Sequence, residues 1–97
     1  MTAHPLPSSL DTAAAAPLRL ELLAQLAAGG PVVLDGSGVT RVGQACLQVL
    51  ASARASAAGH GFAFAIADAS TALREMASLA GVDAVLEPLA AAGDAGR

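Results

Sequence analysis

A thiol nucleophile with an imidazole base is the first chemistry the residue types suggest: Cys46 with His60, His4 being the other imidazole in the sequence. A thiol becomes an attacking thiolate only with a base in hydrogen-bond reach. Cys46 lies in an alanine- and leucine-rich stretch, the setting of a small buried hydrophobe, and His60 sits in a Gly-His-Gly sequence that reads as a turn. Metal binding needs three or four ligands converging on one point, and two separated histidines beside a single cysteine do not supply them. Gly36 and Gly38 follow an apolar run, as the glycines of a phosphate-binding turn do. Yet the chain has no lysine, and the third glycine of the dinucleotide fingerprint is missing. Asp11 and Asp35 end neighbouring elements, where a carboxylate caps a helix or closes a turn. The expectation is a non-enzyme with no metal and no cofactor.

The elements that must position these residues are set by a lopsided composition. The 97 residues suffice for one domain and one core. Hydrophobic residues make up 55%, which argues against disorder, but about a quarter of the chain is alanine and the only aromatics are Phe62 and Phe64. Such a core buries little area per residue, so stability is expected to be modest and open to supplementation by a partner or a weak homodimer. Net charge is −3, and the five arginines (Arg19, Arg41, Arg54, Arg74, Arg97) are scattered singly, which excludes a nucleic-acid stripe. No apolar run reaches the roughly 20 residues of a membrane span, and no signal peptide is recognisable. One cysteine suits a reducing compartment, so a soluble cytoplasmic protein is expected.

Pattern gives an alternating α/β order. Pro5 and Pro7 confine any first strand to a sheet edge. Asp11 and Thr12 offer capping oxygens, Pro17 fits a helical first turn, and Leu18, Leu22 and Leu26 recur at helical spacing until Gly29-Gly30. Pro31–Asp35 is continuously apolar up to its closing Asp35, as a strand covered on both faces would be. A helix is expected from Gln44 to Ala58, burying Cys46 or Leu47, Leu50, Ala53 and Ala57, followed by a turn at Gly59–Gly61. Phe62–Ala67 alternates large and small, as a strand does. Ser70 caps a third helix with Leu73, Met76, Ala77 and Ala80 on one face, stopped by Gly81. Val82, Val85 and Leu86 form a last apolar piece. The domain is expected to occupy residues 1–87, with 88–97 a flexible Ala/Gly tail. Alternation of this kind implies a mainly parallel or mixed sheet of about four strands with three to four helices.

Over residues 6–87 the sequence resembles the STAS family (sulfate transporter and anti-sigma-factor antagonist). The matching stretches are Leu10-Asp11 ahead of a helix with Ala-Pro near its start, Val32-Val33-Leu34-Asp35, the pair Val39 and Val42, and Leu47 with Leu50. After Phe62–Ala67, Ala69-Ser70 leads to Leu73, Met76, Leu79 and Gly81-Val82-Asp83, which is similar to the family's usual helix ending. The resemblance implies a STAS-type α/β fold and a protein that docks on other proteins. Family members of the anti-sigma antagonist kind are switched by phosphorylation of a serine in Asp-Ser-Ser-Gly at the start of the second helix. That motif falls on Gly43-Gln44-Ala45-Cys46, so the acceptor position is Ala45, which has no hydroxyl. Asp35-Gly36-Ser37-Gly38 mimics the motif some eight residues early and would make Ser37 the acceptor; a polar turn is its plainer reading.

Loops at the carboxyl ends of strands and the adjoining helix starts gather on one side of such a sheet. The expected partner-binding surface is therefore Asp35, Ser37, Thr40, Arg41, Gly43, Gln44, Ala45 and Gln48. The run Cys46–Leu50 resembles small STAS-like proteins of alphaproteobacterial chemotaxis operons, which implies docking to a histidine kinase. The lysine-free composition suits a high-GC bacterium. Two other roles within the family are an anti-sigma antagonist in transcriptional control and the accessory subunit of a lipid-transport ABC complex.

Overall fold

Asp11 sets the start of the first helix by accepting the Ala14 N–H on Oδ1 at 3.1 Å, so α1 runs Thr12–Ala27. That places Pro17 in the helix interior and not in its first turn, where it withholds the N–H that would reach the Ala13 carbonyl. The cap one turn further upstream, not the proline, decides the boundary. Gly29 and Gly30 end α1 at φ +98° and +53°, conformations that glycine adopts without a Cβ penalty.

The computed structural model describes residues 3–90. In chain order the elements are β1 (His4–Pro5), β2 (Ser9–Leu10), α1, β3 (Val32–Asp35), β4 (Arg41–Val42), α2 (Gln44–His60), β5 (Phe64–Ala67), α3 (Thr71–Leu79) and a 3-10 turn at Asp83–Leu86. β1, β3 and β5 form a three-stranded parallel sheet in that order, with Val32 opposite Phe64 and Leu34 opposite Ile66. β2 and β4 pair separately, also in parallel. The architecture is the mixed α/β type that the alternation of patterns implies.

Both long strands alternate. Val32, Leu34, Phe64 and Ile66 are buried while Val33, Asp35, Ala65 and Ala67 are half-buried, so the sheet has one fully covered face where two were expected for β3. α1 and α2 supply Leu18 and Leu22, and Cys46, Leu47, Leu50, Ala53 and Ala57, to a single core. Cys46 and Leu47 are both buried. α2 continues through Gly59 and His60, and only Gly61 turns left-handed, at φ +75°. Phe62 then donates its N–H to the Ala57 carbonyl at 2.8 Å, and its ring stacks on His60 at 5.4 Å. It therefore finishes the helix cap instead of starting the strand, which begins two residues later.

Ser70 caps α3 through the Leu73 N–H at 3.1 Å, and Gly81 (φ +74°) follows its end. Leu89 exchanges both backbone hydrogen bonds with Phe64, at 2.8 and 2.9 Å, which ties the chain to β5 beyond the expected boundary at 87. Positions 91–97 of the expected tail lie outside the described residues. No described helix is long and apolar enough to cross a membrane.

Candidate functional site

β2 and β4 are too short to bury much surface, but they bring the starts of α1 and α2 together. The Ser8 carbonyl accepts the Thr40 N–H at 2.7 Å, the Thr40 hydroxyl at 3.1 Å and the Arg41 N–H at 3.2 Å. The Leu10 carbonyl accepts the Gly43 N–H at 2.7 Å. The Cys46 thiol then donates to the Asp11 carbonyl at 3.2 Å, from the first turn of α2 to the N-cap of α1. Burial, and after it the Asp11 charge, pushes this thiol above its ordinary pKa, which keeps it protonated and unreactive. His60 is the last residue of the same helix; at 1.5 Å per residue the two groups lie roughly 20 Å apart. They cannot act as a thiol–imidazole pair.

Gly43 is the N-cap of α2 and has no side chain to offer. A Cβ there would lie 3.3 Å from the Leu10 carbonyl oxygen, so the β2–β4 pairing uses the missing side chain. Gly43→Ala should destabilise the domain by about 1 kcal/mol, because Ala is a poor N-cap and crowds that oxygen. Gly43→Ser crowds it equally but restores a capping oxygen. A lower urea midpoint for Ala than for Ser is expected, and the reverse order would contradict the N-cap position, while an Ala variant as stable as wild type would contradict the close approach.

Of the expected surface residues, Thr40, Arg41, Gln44, Ala45 and Gln48 are exposed and Gly43 is half-buried. They form one run along β4 and the first turns of α2. Among the described residues, Arg41 has no carboxylate partner. The first turn of α2 holds no acidic residue, and Gln44, Ala45 and Cys46 bring no hydroxyl to it. Ser8 and Ser9 join this region, with the Ser9 hydroxyl donating to Asp11 Oδ2 at 3.5 Å. Sequence reading missed them, since two-residue strands carry no periodicity to detect.

Asp35 and Ser37 belong to a tighter structure at the end of β3. The Ser37 N–H donates to Asp35 Oδ1 at 2.9 Å, the turn expected of Asp-Gly-Ser-Gly. Gly36 between them is buried, its N–H donating to Ala67 and its carbonyl accepting from Ser70. Ser37 is exposed, while Val39 downstream is buried and anchors the loop.

The Ser37 N–H, with its hydroxyl behind it, holds the Asp35 carboxyl below the usual carboxylate range. A lowered native pKa contributes stability that is complete above the unfolded value, about 3.9, and is lost as pH falls through the native value beneath it. The Ser37 amide resonance should therefore be unchanged at pH 5 and should shift only below about pH 4. A transition centred above the ordinary carboxylate range would contradict the turn geometry.

No group of three His, Cys, Asp or Glu side chains arranged to hold a metal occurs among the described residues. What the site offers is a polar surface around Gly43 and Ala45 with one free guanidinium, two helix starts and a carboxylate already engaged by its own turn. A family model described as "Mlab, STAS domain" matches residues 5–88. Comparisons with curated proteins and with solved structures find no match.

Proposed function

The chain belongs to the STAS domain family, and from that premise we propose that it is a non-catalytic docking module that lacks the family's phosphorylation switch. Its partner surface is the run from Thr40 to Gln48, centred on Ala45, and the partner is a chemotaxis-type histidine kinase. The observation that carries this reading is the first turn of α2, whose exposed residues Gln44 and Ala45 bear neither hydroxyl nor acid. A phosphoryl group needs an acceptor oxygen, and at Ala45 there is none. Control then comes from the partner or from the amount of protein.

The resemblance at Cys46–Leu50 has a specific content. Cys46, Leu47 and Leu50 are core residues and Val49 is half-buried, so Gln48 alone presents that run to a partner. Partner identity therefore has to be read from capture. Affinity purification with the tagged full chain should recover a histidine kinase. Recovery of an anti-sigma factor or a transporter ATPase instead would move the module to transcriptional control or to lipid transport. Recovery of no partner would remove the docking role. Incubation of the complex with ATP should leave the chain unphosphorylated, and phosphate mapped to Ser37 would shift the acceptor to the β3 turn.

A further inference from the structure

α1 does not carry the surface of a solvated helix. Its exposed stripe is Ala13, Ala16, Leu20, Leu23, Ala24 and Ala27, with Leu20 66% and Leu23 45% exposed. These positions recur every three or four residues and share the side facing away from Leu18 and Leu22. α3 shows what the same chain places on a wet face: Thr71, Arg74, Glu75 and Ser78, with a single exposed leucine, Leu79, at its last position. The polar side chains of α1 lie on its flanks, Arg19 on one side and Glu21 with Gln25 on the other, and an apolar outer stripe between them is the pattern of a face that packs against something. Beside the stripe, α1 and α2 enclose an open groove of about 430 Å³, lined by Leu23, Leu26, Val49 and Ala53 with Arg19 at its side. No acidic residue lines it.

We propose that this face is a two-fold interface and that its occupant is a second copy of the chain. Shape supports a copy, because a two-fold interface requires projection and recess on the same patch. Leu20 and Leu23 form a ridge next to the groove, and the alanines allow two helices to approach closely. Charge supports it too. Each copy carries −3, and the groove has no acidic lining, with Glu21 on the opposite flank of α1 beside His4, so two copies that meet across the groove do so with least repulsion. The same charge works against an anionic lipid surface, and one arginine beside the stripe is not the basic rim of an interfacial helix.

Area sets the extent of the interface. Two helices of 16 and 17 residues, about 25 Å long and packed about 10 Å apart, present on the order of 500 Å² in projection, and surface relief raises this toward the ~800 Å² per partner of a stable interface. α1 alone offers half of that, so Gln48, Ser52 and Ser56 on the α2 wall take part. Gln48 then lies where the dimer face and the docking run meet.

Sedimentation velocity on the full chain across the micromolar range tests this. A monomer–dimer equilibrium is expected, weakened at least about tenfold by Leu20→Glu with Leu23→Glu, since two-fold symmetry introduces every charge twice. Circular dichroism checks that the variant is folded. If it is not, Leu20→Gln, at the most exposed position of the stripe, reads the same shift. A wild-type chain monomeric at every concentration, or a dimer indifferent to these substitutions, overturns the proposal. So does a monomer that binds vesicles of phosphatidylglycerol and phosphatidylethanolamine, which would assign the stripe to lipid.

Discussion

Leu50→Asp is expected to leave the domain without a cooperative thermal transition. Leu50 is fully buried at the centre of the α2 face that also carries Cys46, Leu47, Ala53 and Ala57. The described core holds no buried polar or charged side chain, so a carboxylate placed there finds neither cation nor donor. An unpaired buried charge of this kind costs several kcal/mol, on top of the 2–5 kcal/mol that losing the leucine side chain costs by itself. Small domains are stable by only about 5–15 kcal/mol, and an alanine-rich core with one buried aromatic belongs at the low end. Ala55→Asp, on the exposed side of the same helix and outside the α1–α2 groove, is the control and should melt within about 1 kcal/mol of wild type. Circular dichroism on heating separates the two. A normal melt for Leu50→Asp would mean that α2 buries a different face.

What the sequence disclosed follows the length over which each signal repeats. Leu18 and Leu22, the Leu47–Ala57 face, and Phe64 with Ile66 are periodic, and they are the core that forms. Caps were legible because one residue type does one job: Asp11 and Ser70 accept the expected N–H groups, and Gly29, Gly61 and Gly81 turn left-handed after their helices. Competing signals produced the errors. Pro17 suggests a helix start, but the Asp11 cap is stronger and the helix absorbs the missing hydrogen bond. Phe62 continues an alternating pattern, yet Gly61 draws it into the helix cap. The continuous apolar run at Pro31–Asp35 implied two covered faces, and only one is fully buried.

The region around the α2 start was legible in part. Ala45, Gln44 and Arg41 are exposed there, but the contribution of Ser8 through its carbonyl leaves no trace in side-chain identity. Gly43 is a related case. Its lack of a side chain has meaning only once Leu10 is seen 3.3 Å from where a Cβ would sit. Backbone-to-backbone approach between distant segments is a tertiary fact, and residue type records it only as a permitted absence.

Ala45→Glu should weaken partner binding by about a hundredfold while leaving the domain as stable as before or slightly more so. The two effects have opposite signs for separate reasons. Ala45 is exposed in the first turn of α2, which has no acidic residue and no side-chain cap, so a carboxylate there meets the positive end of the helix dipole. That interaction contributes about 0.3–1 kcal/mol, part of it offset by Asp11 nearby. Docking is different, since a partner that closes over Ala45 must strip water from the new charge without supplying a counter-ion. A hundredfold loss corresponds to about 2.7 kcal/mol, within the range of central interface positions. Ala45→Gln separates bulk from charge: similar in size but neutral, it should lose far less than the glutamate does. Calorimetric titration against the captured partner, with a melt of each variant, gives both readings. Full affinity in a folded Ala45→Glu protein would place the docking surface elsewhere on the domain, and reduced affinity with a lowered melting temperature would show that the fold, not the surface, had been damaged.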